Sequence, residues 1–595
     1  MNSGPLWTSR TRAGWTPSKR NGRGATAPAT EPFSGAQVTR LGPPLAVLLL
    51  GLPVLIGLLG TILPAFGILP ALGGVTPSLA PLEQLLAMPG VWRSAALSFW
   101  IGLASGAGSL FVVMLFVAGW SGTHTFKRLQ RTIAPLLSVP HAAAAFGFAF
   151  LIAPSGFLAR LLSPELTGWT APPNVLIPND SWGLSMIAGL MLKEIPFLLL
   201  ITLAALPQVE AQRGRAVVAA LGFGRTAGFL LALWPAIYRQ IRLGIFAVLA
   251  FSSSVVDVAA ILGPTLPPTL APRLLQWITD PDLTLRFAAA AGALLQLGVT
   301  LGVLLVWIGL EQGGAFLRDR VATSGRRFRH DRAVRIVAAA GLAASAGAVF
   351  LGLLTLAIWS IAGLWTFPDL LPQSLTLRGW ESVLPRLSNP LLTTLIVAAS
   401  ATLLAVALAV LCLANEDRRG RPAGRAALWM IYLPLIIPQP AFLFGLQLAF
   451  VSVDLQATLA ALVFVHLVFV LPYVFLSLSD PWRSLDRRYE QVARGLGRSR
   501  RRAFWTVRMP LLLRALLTAA AIGFAVSVGQ YLPTVLIGAG RLTTVTTEAV
   551  ALASGGNRRV IGVWTFVQMI LPFVGFLVAT LVPALVFRRF RAVRV

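Results

Sequence analysis

Cysteine, lysine, histidine and acid are all scarce in this chain, and each scarcity excludes a class. A single cysteine, Cys412, rules out a disulfide framework and any cysteine-based metal centre. It lies in the apolar run "LAVLCLANED" and reads as a small core residue. Four histidines (His124, His141, His330 and His466) are scattered without ligand spacing, so no metal site is expected. The only lysines are Lys19, Lys127 and Lys193, and none follows a glycine. The phosphate-cradling pattern G-x-x-x-x-G-K-[ST] is therefore missing, and the chain has no nucleotide-hydrolysing engine of that kind. Only 21 acidic residues stand against 49 basic ones, and charged residues make up 12% of the 595. The acids are dispersed, which argues against a polytopic membrane enzyme built on clustered Asp, Glu or His.

What fills the chain instead is apolar sequence, 56% of all residues, at a mean hydropathy of +0.77. Runs such as "PLAVLLLGLPVLIGLLGTILPAFG" exceed the roughly 20 residues that cross a bilayer as helix. The expected fold is all-α and polytopic, with twelve spans near 44–66, 94–120, 133–153, 183–205, 241–264, 287–310, 336–363, 389–414, 426–449, 457–479, 515–538 and 560–587. With both termini in the cytoplasm, roughly 38 of the 49 Lys and Arg residues fall on the cytoplasmic side, as the positive-inside bias requires. The net charge of +28 is thus a topology signal rather than a nucleic-acid footprint. Residues 1–40, rich in Gly, Pro, Ser, Thr and Arg, read as a disordered basic cytoplasmic tail.

A segment that resists the apolar pattern has a twin. "YEQVARGLGRSRRRAFWTVRMPLL" from Tyr489 aligns without a gap to "GRAVVAALGFGRTAGFLLALWPAI" from Gly214, 275 residues upstream. Val217/Val492, Leu221/Leu496, Gly222/Gly497, Arg225/Arg500, Phe229/Phe504 and Pro235/Pro510 match, with 13 residues from glycine to proline in both. Pro140 with Phe146-Gly147 likewise matches Pro438 with Phe444-Gly445. The chain divides into two parallel six-span units, 41–325 with a loop at 207–240, and 326–595 with a loop at 481–514. Ala216–Tyr238 is apolar enough to pass for a span, but a crossing there would put the Arg-rich segments 311–335 and 481–514 on the wrong side. It is expected to be a helical hairpin at the cytoplasmic surface. In its twin, Tyr489, Val492, Ala493 and Leu496 share one helical face; glycine then stops the helix, a second short helix starts at Ser499, and Pro510 opens the next span. An amphipathic connector on anionic lipid would explain the arginines, but not two copies, one nearly uncharged.

Both loops resemble the E-A-A-x-x-x-G loop of binding-protein-dependent ABC importer permeases. Gly222 with Pro235, and Gly497 with Pro510, occupy the pattern's glycine and proline positions, while Ala216 and Gln491 stand where the family carries glutamate and Glu490 lies one residue off register. "IIPQPAFLFGLQ", "VLPYVFLSLSDPWRSLDRRYEQVA" and "AVSVGQYLPTVLIGAGRLTTVTTEAVALASGGNRR" extend the likeness to the fused twelve-span, MetI-like permeases of the thiamine transport family, within a broader iron(III), thiamine and polyamine group. The resemblance implies a permease of the bacterial inner membrane that has no catalytic residues and binds no cofactor of its own. It implies two copies of a separate ATPase, which bind ATP with Mg, and a periplasmic solute-binding protein. Ala216, Leu221, Gly222, Pro235, Glu490, Gln491, Leu496, Gly497 and Pro510 would then form the ATPase-coupling loops. Thiamine or a thiamine-like compound is the implied cargo, with iron(III) or polyamine as the alternatives. "ASGGN" at Ala553–Asn557 is similar to an ABC ATPase signature but reads as a glycine-rich turn.

Polar residues inside spans cost roughly 2.5–3.5 kcal/mol each when ionised, and they mark pathways or internal pairs. In the span after each coupling loop, Ser252, Ser253, Ser254 and Asp257 would face Ser527, Gln530 and Tyr531, and this is the expected pathway; the alternative makes Asp257 a helix-end residue near the outer interface. Lys193–Glu194 reads as a locally neutralised pair. The rival is a twelve-span secondary transporter of the major-facilitator type, also two parallel halves, but the loop "SGTHTFKRLQRT" lacks the Gly-x-x-x-Asp-Arg pattern of that class.

Overall fold

The computed structural model describes residues 35–588, apart from 134, 135, 137, 210, 423 and 556, and most of the expected tail lies outside them. The first helix, Gly35–Ala65, begins inside the stretch assigned to the tail, so residues 35–40 are helical rather than tail. Helices dominate the described residues, and the only β-pairings among them are the isolated bridges Leu69–Gly74 and Ala362–Leu375. In hydrocarbon an unpaired backbone group costs several kcal/mol, so helix is the form in which each segment closes its own hydrogen bonds.

Nine of the described helices are long and apolar enough to cross a membrane, and eleven if two bent pairs each count as one span. The expected fifth span accounts for the remaining difference from twelve. Its helix, Trp234–Ser254, carries Arg239 and Arg242 in its first half and stops before Asp257 restarts as Asp257–Leu262. Several expected spans are also bent or broken. Arg425–Ile436 meets Gln439–Ser452 at 86°, because Ile437 precedes Pro438 and is forced into extended backbone. His141–Ile152 likewise starts after an extended Pro140, so the expected single span 133–153 is interrupted. Arg500–Leu511 meets Leu513–Val528 at 68°.

The leading helix of each half packs on the other half. Gly35–Ala65 lies along Gln439–Ser452 and Arg378–Arg419, while Arg332–Ile361 lies along His141–Ile152 and Val91–Trp120. Glycine makes both crossings close. A Cβ at Gly445 would fall 2.0 Å from the Gly57 carbonyl oxygen, and a Cβ at Gly60 would fall 2.7 Å from that of Gly445. Across the molecule, Gly147 and Gly352 meet in the same manner, and a Cβ on either would fall within 2.9 Å of the other's carbonyl carbon. Small residues let helix backbones touch where lipid offers no hydrophobic gain. Thr61, fully buried, donates to the Gly57 carbonyl at 2.9 Å and accepts from the Gly445 N–H at 3.1 Å, adding a polar tie to the contact.

Overpacking a tight contact costs about 1–3 kcal/mol, and more against rigid backbone. Gly445→Val is expected to lower the thermal midpoint and the yield of folded protein in detergent. Gly347→Val, where a side chain would meet nothing within 4 Å, is expected to leave both unchanged.

Candidate functional site

The two Gly–Pro segments fold alike. In the first, Ala211–Ala220 ends in a turn at Gly222 (φ +78°) and Arg225–Ala232 follows; in the second, Arg488–Gly495 ends at Gly497 (φ +86°) and Arg500–Ala503 follows. The left-handed backbone at both glycines is one that a side chain strains, which explains the residue type. The helix-ending bonds recur at the 275-residue offset. Leu221 N–H donates to Val217 O (3.1 Å), Gly222 to Ala219 (2.9 Å) and Phe223 to Val218 (3.1 Å). Correspondingly, Leu496 donates to Val492 (3.0 Å), Gly497 to Arg494 (3.0 Å) and Arg498 to Ala493 (3.1 Å). This pairing of a six-to-one and a five-to-two bond terminates a helix and reverses the chain. Pro235 and Pro510 each stand in the first turn of the helix that follows.

Each hairpin turns its apolar residues outward. Val217 and Leu221 are 58% and 57% exposed, and Val492 and Leu496 are 63% and 81% exposed. Ala216 and Gln491, at the family's glutamate positions, are exposed on the same knobs. Both knobs project from one end of the bundle. Phe287 closes on Gly74 at the far end, which sets the far end of Gly35–Ala65 beside the start of Leu285–Thr323. The opposite ends of those two helices lie by Leu411 and Cys412 and by the 324–331 connector.

The anchoring beneath the knobs differs. In the first hairpin the connector lies directly on the turn: Gly224 N–H donates to Arg327 O (2.8 Å), Arg329 Nε to Gly222 O (3.2 Å), and Thr226 N–H to Asp331 Oδ2 (2.7 Å). Arg327 stacks over Phe223, 4.4 Å from the ring centre. Arg215 and Arg225 both donate to the Ser121 carbonyl, at 2.7 and 2.5 Å. Burial, then the nearby Arg335 and Arg215 charges, hold the Arg225 guanidinium below its ordinary value, with Asp331 opposing. The second hairpin is anchored by Arg508, whose place 275 residues earlier is taken by Leu233. The buried guanidinium reaches Glu490 Oε1 and Asp417 Oδ2, each at 2.7 Å, and lies 4.5 Å over the Trp482 ring. Trp482 Nε1 and Arg487 also donate to Asp417, at 2.7 and 2.9 Å. Glu490 is thereby engaged inside the chain rather than displayed on the knob.

The residues expected to line a pathway lie where the following spans break, at Val255–Val256 and at Gly529–Tyr531. The structure brings Asp257 within electrostatic reach of Tyr531 and of His141. It does not bring the serines together. Ser253 bonds Thr300 at 2.9 Å, Ser254 bonds Ala250 O at 2.8 Å, and Ser527 bonds His466 Nδ1 at 2.8 Å. Ser252 Oγ is buried without a partner, and Gln530 is buried beside its neighbours. Asp257 is itself buried rather than placed at an outer surface.

Two histidines and a glutamate escape a reading based on composition. His141 lies 3.7 Å from Glu194, with its ring tilted against that of Phe251 at 4.8 Å between centres, joining the Asp257 group. Pro140, which starts its helix, was the available signal, since it fixes where the break exposes the residue after it. Lys193, by contrast, donates to the carbonyls of Leu136 (3.0 Å) and Val139 (2.5 Å), so its ammonium serves the non-helical backbone ahead of His141 as well as the charge of Glu194.

Comparison with known proteins matches this architecture to a class. Residues 401–593 match the family described as binding-protein-dependent transport system inner membrane component. The chain is 31% identical over 509 residues to the inner membrane ABC transporter permease protein YnjC of Escherichia coli, covering 85% of this chain and 91% of that protein. It is also 31% identical over 168 residues to the molybdenum transport system permease protein ModB of Mycobacterium tuberculosis, covering 26% of this chain and 63% of that one. The molybdate/tungstate transport system permease protein WtpB of Pyrococcus abyssi shares 29% over 151 residues, 25% of this chain and 58% of the relative. The chain belongs to the ABC importer permeases, multi-pass subunits of the inner membrane that work with a separate ATPase and a solute-binding protein.

Removing one partner of a buried ion pair costs about 3–5 kcal/mol, because the remaining charge is left uncompensated. Arg508→Met is expected to lower the unfolding midpoint markedly, and adding Glu490→Gln to that variant is expected to restore part of the loss. Thermal unfolding of both variants in one detergent provides the measurement.

Proposed function

We propose that the chain carries both membrane halves of an importer, each presenting one hairpin to one subunit of a cytoplasmic ATPase dimer. Residues 41–325 and 326–595 are the two units, both termini are cytoplasmic, and a periplasmic binding protein delivers the solute on the opposite face. The observation that carries this reading is the pair of exposed apolar knobs with the same hydrogen bonds and the same left-handed glycine. ATP-driven closure of the ATPase dimer moves the two knobs, and the helices starting at Pro235 and Pro510 carry that motion to the breaks beside Asp257 and Tyr531. Ala216 and Gln491 replace the family's acidic contact, so docking rests on apolar fit through Val217, Leu221, Val492 and Leu496.

The coupling role is tested by co-purification and transport. Leu221→Glu together with Leu496→Glu is expected to lower ATPase retention at least tenfold while the permease still inserts and folds. Gly497→Pro is expected to abolish ATP-dependent uptake. A Val492→Cys variant in a Cys412→Ala background is expected to react with an impermeant thiol reagent only from the cytoplasmic side. Labelling from the periplasm would end the proposal.

For the cargo, the reading favours a small cation such as thiamine over the oxyanions in the relatives' names. Its support is the buried carboxylate of Asp257, within electrostatic reach of Tyr531 and His141 at the break between the halves, with the Glu194 charge beside it matched by Lys193. Asp257→Asn is expected to reduce thiamine uptake at least tenfold in reconstituted vesicles while ATPase binding stays intact. Molybdate in the cognate binding protein, or full uptake by this variant, would overturn the cation assignment.

A further inference from the structure

A cleft of about 620 Å³ opens on the second half at the hairpin end of the bundle. Its walls are apolar and come from separate helices: Leu50 from Gly35–Ala65, Met430 from Arg425–Ile436, and Leu471 and Phe475 from Leu459–Ser484. Val47, 45% exposed, forms its lip on a helix face whose neighbours Leu45 and Leu48 are also exposed, so the cleft opens toward the hydrocarbon. The rim is polar. Glu416 there is neutralised by Arg483, with bonds of 3.0 and 3.1 Å, and Asn415 accepts from Arg418 at 2.6 Å. Arg419 and Arg421, also on the rim, are exposed and form no ion pair among the described residues.

The other half closes the corresponding place. Pro43 and Arg335 each stand 17 residues ahead of the crossing glycine of their helix, Gly60 and Gly352. Arg335 lays its stem where a Cβ at Gly119 would be, 2.7 Å from its Cγ, and sets its guanidinium 4.9 Å over the Trp120 ring. Its carbonyl also accepts from Trp120 Nε1 at 2.8 Å. Pro43 has no such side chain, and it lines the open cleft. Arg335 thus fills space beside its neighbouring helix that Pro43, at the matching distance from its glycine, leaves open.

We infer that this cleft holds one anionic phospholipid of the surrounding leaflet, its acyl chain between Leu50, Met430, Leu471 and Phe475 and its phosphate on Arg419 and Arg421. Burying methylene groups gains much relative to water but little relative to bilayer. Selection must then come from the headgroup, where each basic residue near the rim favours a negatively charged lipid. Two unpaired arginines at one rim suffice to prefer phosphatidylglycerol over phosphatidylcholine about tenfold or more, by the 1.4 kcal/mol-per-decade relation. A lipid seated there wedges the leading helix of the first half against three helices of the second, and so stiffens the crossing on which the two halves depend.

The test is native mass spectrometry of the full permease exchanged into detergent micelles with equimolar phosphatidylglycerol and phosphatidylcholine. One tightly retained phosphatidylglycerol per chain is expected, at a tenfold or greater preference. Arg419→Gln with Arg421→Gln, two exposed positions that should not impair folding, is expected to abolish the preference; Met430→Trp, which fills the cleft, is expected to abolish retention. Equal retention of the two lipids would overturn the inference, as would displacement of the preference by inorganic phosphate alone. Unchanged preference in the double arginine variant would do the same.

Discussion

Everything in this molecule answers to one constraint: inside a bilayer, a backbone that leaves the helix must find its partners within the protein. The breaks after Pro140 and Pro438, and those at Val255 and Gln530, are therefore internal, and the helices around them cover them. The leading helices supply that cover by crossing to the opposite half. Glycine is what allows them near enough, at Gly60 against Gly445 and at Gly352 against Gly147. Thr61 shows the same rule at the level of one hydroxyl, tied to its own helix and to the neighbouring one.

Polarity is distributed by the same logic. The interior polar groups mostly bond into their own half, as Ser253 does with Thr300 and His466 with Ser527 and Thr534. These bonds hold each broken span against its neighbours. Asp257, Glu194, His141 and Tyr531 are different, since they sit where the halves meet and their strongest mutual terms are electrostatic. At the hairpin end the opposite holds, and Arg508 is gripped by two carboxylates and a tryptophan.

Much of this was legible in the residues, and the reasons differ by element. Apolar runs reported the helices because lipid imposes a length. The Gly–Pro spacing reported the hairpins because only glycine adopts their turn without strain, and positive-inside reasoning removed the false span at Ala216–Tyr238. Hydropathy could not report the bends, since Arg425–Ile436 and Gln439–Ser452 are apolar on either side of an 86° corner. The exchange of leading helices left no trace in periodicity either, for it depends on which glycines meet across hundreds of residues. Pairing the serines across the axis failed for a related reason: sequence places residues on a span but does not say which way they turn. Arg508 was visible as one arginine among many, and only the convergence of Glu490 and Asp417 distinguishes it.

The connector between the halves runs over the first hairpin and has no second copy. Three hydrogen bonds and a stacked arginine fasten it to Gly222, Phe223, Gly224 and Thr226, and the other hairpin relies on a single buried cation instead. Joining two subunits into one chain thus ends their equivalence at the surface they share with other proteins. A symmetric dimer seated on this permease would meet one shoulder fastened through the connector and the other through a buried ion pair, so a twofold machine would be driven through an uneven pair of levers.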